Sequence, residues 1–225
     1  MSKVISLVSG GLDSLLATDV LLSEGNEVLM MFGALNQSPE AQEREAAKHF
    51  YNFFDSEYKG RVHFHEITVD LHGTKKVESA WGRTMLLLGL ALTYNYSQLD
   101  NYYDSLAIGS HRGDVGPDCN PDKQDAFTKA VETSTKGSVS LLLPIADLDQ
   151  EQIGKEFRRR ALPLSKTFSC YWNPPCGYRS VHDTYLCPGC RRKAVAMKAA
   201  GYPELLTPNS ATRTFQSDLA EPLTY

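Results

Sequence analysis

The sequence lacks the features that would commit a chain to a membrane, a fibre or a nucleic-acid surface. Its longest apolar run, "TMLLLGLALTY" (Thr84 to Tyr94), is about half of the roughly 20 residues that a bilayer-spanning helix needs. Charge of neither sign dominates: 23 basic and 27 acidic side chains leave a formal net charge of −4. Whole-surface attraction to nucleic acid or to an acidic membrane is thereby excluded, and direct nucleic-acid binding is not expected. No segment repeats and none is of low complexity, which argues against solenoids and tethers. The first residues have no signal-peptide layout, so a cytoplasmic location is the expectation. Cysteine is scarce before residue 170, where Cys119 stands alone, yet Cys170, Cys176, Cys187 and Cys190 crowd into the last quarter. In a reducing compartment such a cluster reads as a metal site before a disulfide set.

What is present is an ordinary globular mixture, 42% hydrophobic and 22% charged, in a chain of 225 residues that can bury one full core and a small appendage. Strand-like and helix-like patterns alternate. Strands are predicted over 3–8, 26–33, 61–70, 104–110 and 138–145. Helices are predicted after residue 12 and over 39–55, 79–99 (a long, mostly buried one), 122–133 and 149–161. This alternation predicts an α/β fold: a parallel five-stranded sheet with helices on both faces. Ligands of such sheets lie beyond the carboxyl ends of the strands. Ser9 to Ser14, Gly33, Gly109 to Asp118 and Pro144 all follow predicted strands and should gather there. The alternation stops near Pro163, so the expected division is an α/β domain over 1–162 and a cysteine-bearing segment with a tail over 163–225.

The stretch "LVSGGLDSLL" (Leu7 to Leu16) joins the first strand to the first helix. Its glycines let an anion approach the backbone closely. The helix start offers N–H groups without intrahelical partners and the positive end of the helix dipole. Ser9 and Ser14 can add hydroxyl hydrogen bonds. The competing reading is a plain strand-to-helix turn with Asp13 as the helix cap.

"SGGLDS" (Ser9 to Ser14) has the form of the PP-loop signature of ATP pyrophosphatases, without the Lys of the ordinary NTPase P-loop. More narrowly, the chain resembles the 7-cyano-7-deazaguanine synthase family over nearly its whole length. The resemblance rests on "SGGLDS", "GRTMLLLGLALTYN", "PDKQDAF", "LPIADLDQEQI", "KTFSCY" and "CPGCRRKA", met in that order. It implies a PP-loop, HUP-like and Rossmann-like domain that uses ATP and Mg²⁺ to adenylate 7-carboxy-7-deazaguanine, with ammonia as the acceptor and pyrophosphate released. It also implies a structural Zn²⁺, a homodimer, and site residues by position. Ser9, Gly10, Gly11, Leu12, Asp13 and Ser14 would hold the phosphates and Mg²⁺, flanked by Gly33 and Gly109. Arg83 is the matched cation near the reacting groups and Asp122 the matched loop acid.

Several positions depart from the family pattern. Gly33 is followed by "ALNQSPE" where the family has G-Q-x-H, and G-R-N reads Gly82-Arg83-Thr84. The family's Arg in P-D-C-R becomes Gln124 and the Lys of K-x-E-I becomes Gln150, while "GPDC" (Gly116 to Cys119) competes for the same loop motif. Arg112, Lys123 and Lys155 are the candidates to compensate. Some relatives lie in anti-phage systems, so a protein or peptide amine is the alternative acceptor; a non-catalytic nucleotide-binding module is a third reading. For the metal, the Cys187–Cys190 turn supplies two thiolates and Cys170 matches the family's first ligand. Cys176 is the expected fourth, with His182 the alternative, since Thr184 stands where the family has cysteine. The opposing reading is reduced cysteines packed in a small core. The basic runs 158–160 and 191–193 are expected to be solvated helix ends.

Overall fold

The computed structural model describes residues 1–36, 40–70, 82–98, 102–111, 121–171 and 187–202, of which 121–123 as backbone only. In chain order it contains β1 (Lys3–Val8), α1 (Leu12–Ser23), β2 (Glu27–Ala34), α2 (Glu40–Glu57), β3 (Val62–Thr68), α3 (Arg83–Ser97), β4 (Ser105–Ala107), α4 (Pro121–Ser134), β5 (Ser140–Leu142), α5 (Gln150–Arg159) and α6 (Pro188–Ala199). The strands form one sheet in the order β3-β2-β1-β4-β5, and each neighbouring pair is parallel. The chain therefore steps outward from β1 to β3 and returns to start again on the other side of β1. That reversal opens a crevice at the carboxyl ends of β1 and β4.

Both faces of the sheet are covered, which is why its central strands read as unbroken apolar runs. Val4, Val8, Val28, Met30 and Phe32 face one layer with Leu15, Leu16, Phe50, Phe54 and Phe157. Ile5, Leu7, Leu29, Met31 and Leu106 face the other, against Leu88, Ala91 and Val131. The two sets alternate along β1 and β2, as a pleated strand requires. Ala196, Met197 and Ala200, in or just after α6, also belong to the first layer.

The basic run at the end of α5 serves the fold. Arg158 Nη1 donates to Ala200 O at 2.8 Å, tying α5 to the end of α6. Arg160 Nη1 donates to the buried Asp19 Oδ2 at 2.9 Å, and Tyr58 donates to Asp19 Oδ1 at 2.8 Å. Burial, then the Asp19 hydrogen bond, push the Tyr58 hydroxyl up to about 12. Lys193 also departs from the expected solvated run: it is buried, its Nζ donates to Thr167 O at 2.5 Å, and burial lowers it to about 8.

Two further differences from the sequence pattern have physical causes. α3 is not mostly buried: Leu88, Ala91 and Asn95 are its buried residues, while Met85, Leu86 and Tyr96 are exposed. The helix covers the sheet with a single stripe, and its other apolar residues extend the hydrophobic pattern without joining the core. β4 and β5 have three residues each. Beyond Ala107 the chain leaves the ladder to lie on the start of α1, where a Cβ at Gly109 would meet Asp13 C at 2.5 Å.

Gly154 offers a direct test of the α5–α6 contact. Alanine is favoured over glycine in a helix by about 1 kcal/mol, but a Cβ here would lie 2.1 Å from Ala196 O. Backbone cannot yield as a side chain can, so the clash decides the sign. Gly154→Ala is expected to destabilise the chain by about 1–3 kcal/mol, measured as a lowered denaturation midpoint.

Candidate active site

The turn after β1 is built by close backbone approach. Gly10 has φ +73, and a Cβ there would lie 2.3 Å from Glu43 O, so conformation and space both require glycine. Phe168 N donates to Gly10 O at 2.9 Å, holding the turn from the opposite side. Ser14 Oγ accepts from Ser9 N at 3.2 Å and donates to Gly11 O at 3.3 Å, closing the loop on itself. The N-cap of α1 is Gly11, with no side-chain cap. Asp13 is thus not the cap that a plain turn would want; it sits in the first helical turn. The result is a helix start that can receive an anion on its N–H groups. Leu12 is buried in the core, so only its backbone is available to a ligand.

β4 brings the second wall. Gly109 lies against Asp13 and Ser14, where a Cβ would be 2.5 Å from Ser14 N. Ser110 Oγ accepts a 2.6 Å hydrogen bond from Gln124 Nε2, both residues being buried. His111 is fully buried, with Nε2 3.7 Å from Asp13 Oδ1. Sequence reasoning brought the stretch 109–118 to this edge without singling out His111, which belongs to no motif; its position directly after a predicted strand was the available signal. Gln124 is spent on fastening this turn.

The other expected residues fall as follows. Gly33 is inside β2 near its carboxyl end, and Leu87 fills the space its side chain would need, at 2.2 Å from the built Cβ. Arg83, one turn before Leu87, opens α3 after Gly82 in the left-handed region. The Gly33–Leu87 contact therefore carries Arg83 to the carboxyl edge of the sheet. Asp122 is the second residue of α4; its side chain lies outside the described residues, as do Arg112 and Cys119. Gln150 opens α5 with its Oε1 buried and without a hydrogen-bond partner among the described residues.

Cys170, Cys187 and Cys190 converge as three buried thiols whose sulfurs all lie within 4.8 Å of one another. Cys187 Sγ and Cys170 Sγ are 3.9 Å apart, close to the roughly 3.8 Å expected of two thiolates about 2.3 Å from one tetrahedral ion. Backbone N–H groups of Tyr171 and Cys190 both donate to Cys187 Sγ at 3.4 Å. Hydrogen bonding to Cys170 and Cys187, then burial, push the Cys190 thiol far above its ordinary value. Three thiols so placed ionise together only around a cation, and the donor set suits a soft divalent metal. Cys176 and His182 lie outside the described residues.

A 7-cyano-7-deazaguanine synthase from Microcystis aeruginosa is 26% identical, covering 92% of this chain and 95% of its own length. One from Acetivibrio thermocellus is 27% identical, over 89% and 95%. Among solved structures, NMN synthetase from Francisella tularensis aligns over 96% of this chain and 84% of its own at a TM-score of 0.48 and 13% identity. The family described as "Queuosine biosynthesis protein QueC" matches residues 3–201, the phosphate loop and the cysteine pair included. The chain belongs to the QueC family and, with it, to the ATP-dependent ligases.

Proposed function

We propose that this chain adenylates the carboxylate of 7-carboxy-7-deazaguanine and passes it to ammonia, yielding 7-cyano-7-deazaguanine. The observation that carries the reading is the loop of Ser9 to Ser14, set at the β1–β4 crevice with Asp13 beside it. Its relatives' names supply the substrate class. A carboxylate oxygen attacks the α-phosphorus of ATP, the bond to the bridging oxygen breaks, and pyrophosphate leaves into the cradle of helix N–H groups. Ammonia adds to the acyl carbon, and AMP leaves to give the amide. A second ATP activates the amide oxygen in the same way, and loss of AMP and protons leaves the nitrile. Asp13 would hold Mg²⁺, which when bound screens the phosphate charges. Arg83 would meet the negative charge that develops at the sheet edge.

A protein or peptide amine is the second acceptor worth testing. If "PDKQDAF" rather than "GPDC" is the family's loop motif, Gln124 stands in place of a cation and is held inside the fold by Ser110, a departure that leaves room for a larger acceptor. Mass spectrometry separates the two: ammonium yields the free nitrile, whereas an amine acceptor gains a covalent deazaguanine mass.

We assign the cysteine cluster to Zn²⁺ in a structural role, with Cys176 or His182 completing four ligands, because a closed site leaves no open position for chemistry.

Two outcomes are expected. Asp13→Ala should lower pyrophosphate release, measured with ATP and 7-carboxy-7-deazaguanine, by about 100-fold or more without lowering the denaturation midpoint; release at the parent rate would sink the phosphate-loop reading. The purified chain should hold about one zinc, and Cys187→Ser should lose it together with stability, read by elemental analysis and melting. Full zinc in that variant would remove Cys187 from the ligand set, and a parent chain without zinc would show that the thiols merely pack.

A further inference from the structure

The Asp13 carboxylate has two unlike faces. Its side chain is 28% exposed, yet Oδ1 is buried. The exposure therefore lies on the remainder of the side chain, which includes Oδ2. Oδ1 looks inward at His111, 3.7 Å away and itself 0% exposed. That imidazole is not placed by chance. Gly109 seats its turn directly on the backbone of Asp13 and Ser14, and the 2.6 Å bond from Gln124 to Ser110 locks the residue next to it.

We infer that His111 is a positioning residue: from the end of β4 it orients the Asp13 carboxylate so that one oxygen is held inside and the other is presented to the cation that accompanies ATP. This rests on the phosphate-loop reading above. The separation, 3.7 Å, is longer than a hydrogen bond, and hydrogen bonds at catalytic sites commonly tighten as the reacting complex forms. A neighbour that orients a metal-holding carboxylate is typically worth about 10–100-fold in metal affinity. A histidine that merely fills the core would tolerate any side chain of similar volume. A positioning one needs a donor at the distance of Nε2.

The test measures Mn²⁺ binding to the full chain by electron paramagnetic resonance, in the presence of α,β-methylene-ATP, which cannot be cleaved between those phosphates. His111→Leu should weaken Mn²⁺ binding by about tenfold or more. His111→Gln, whose amide can reach as far as Nε2, should restore it to within about threefold of the parent. In an Asp13→Asn background the difference between the Leu and Gln variants should vanish. If His111→Leu does not fold, His111→Asn, whose amide stops short, takes its place with the same expected loss. Unchanged binding in the Leu or Asn variant, or a folded Gln variant no better than Leu, overturns the role given to His111. A parent chain that binds no Mn²⁺ with the analogue overturns the phosphate-loop reading itself, so the two failures are distinguishable.

Discussion

The site depends on backbone lying against backbone with no side chain between. Gly10 meets the Glu43 carbonyl, Gly109 meets Asp13 and Ser14, and Phe168 hydrogen-bonds Gly10. These contacts reach the loop from α2, from the end of β4 and from the segment leading to the cysteines. A loop of three residues has little stiffness of its own. Clamped from three sides, it presents its N–H groups in one arrangement before any ligand arrives, and such preorganisation gives fixed dipoles their catalytic value.

The electrostatics of the crevice are economical. Arg83 is brought to the sheet edge, but Gln124 turns inward to Ser110 and Gln150 keeps its carbonyl oxygen buried. On the proposed reading, neither of these two glutamines, among the described residues, offers a charge to a leaving pyrophosphate, which would lean on the helix start. On that reading the geometry of the Asp13 carboxylate, and of what lies behind it, would matter the more.

Much of this was legible in the sequence because it follows from local chemistry. β1 runs over Lys3–Val8 as its apolar pattern predicts, and the glycines and serines of the loop announce a close approach that the structure shows at Gly10. The cysteine spacing marked out Cys170, Cys187 and Cys190, which converge. What escaped was set by tertiary context. The apolar run of α3 resembled a buried helix because composition cannot tell which stripe meets the sheet, so the exposure of Met85 and Tyr96 was invisible. Lys193 sits in a basic run yet is buried, because its helical phase turns it toward Thr167. His111 lay in no motif; only the parallel pairing of β1 with β4 carries it to Asp13.

The hydrogen bond from Phe168 to Gly10 has a mechanical meaning. Phe168 stands two residues before Cys170, and Phe168 shares a small cluster with all three buried cysteines. Whatever gathers the sulfurs therefore also fixes the segment of chain that grips the Gly10 turn. Slackening at Cys170 passes through two peptide units to the bond on the Gly10 carbonyl, so on the proposed reading a change at the thiols would reach the phosphate loop without entering the crevice.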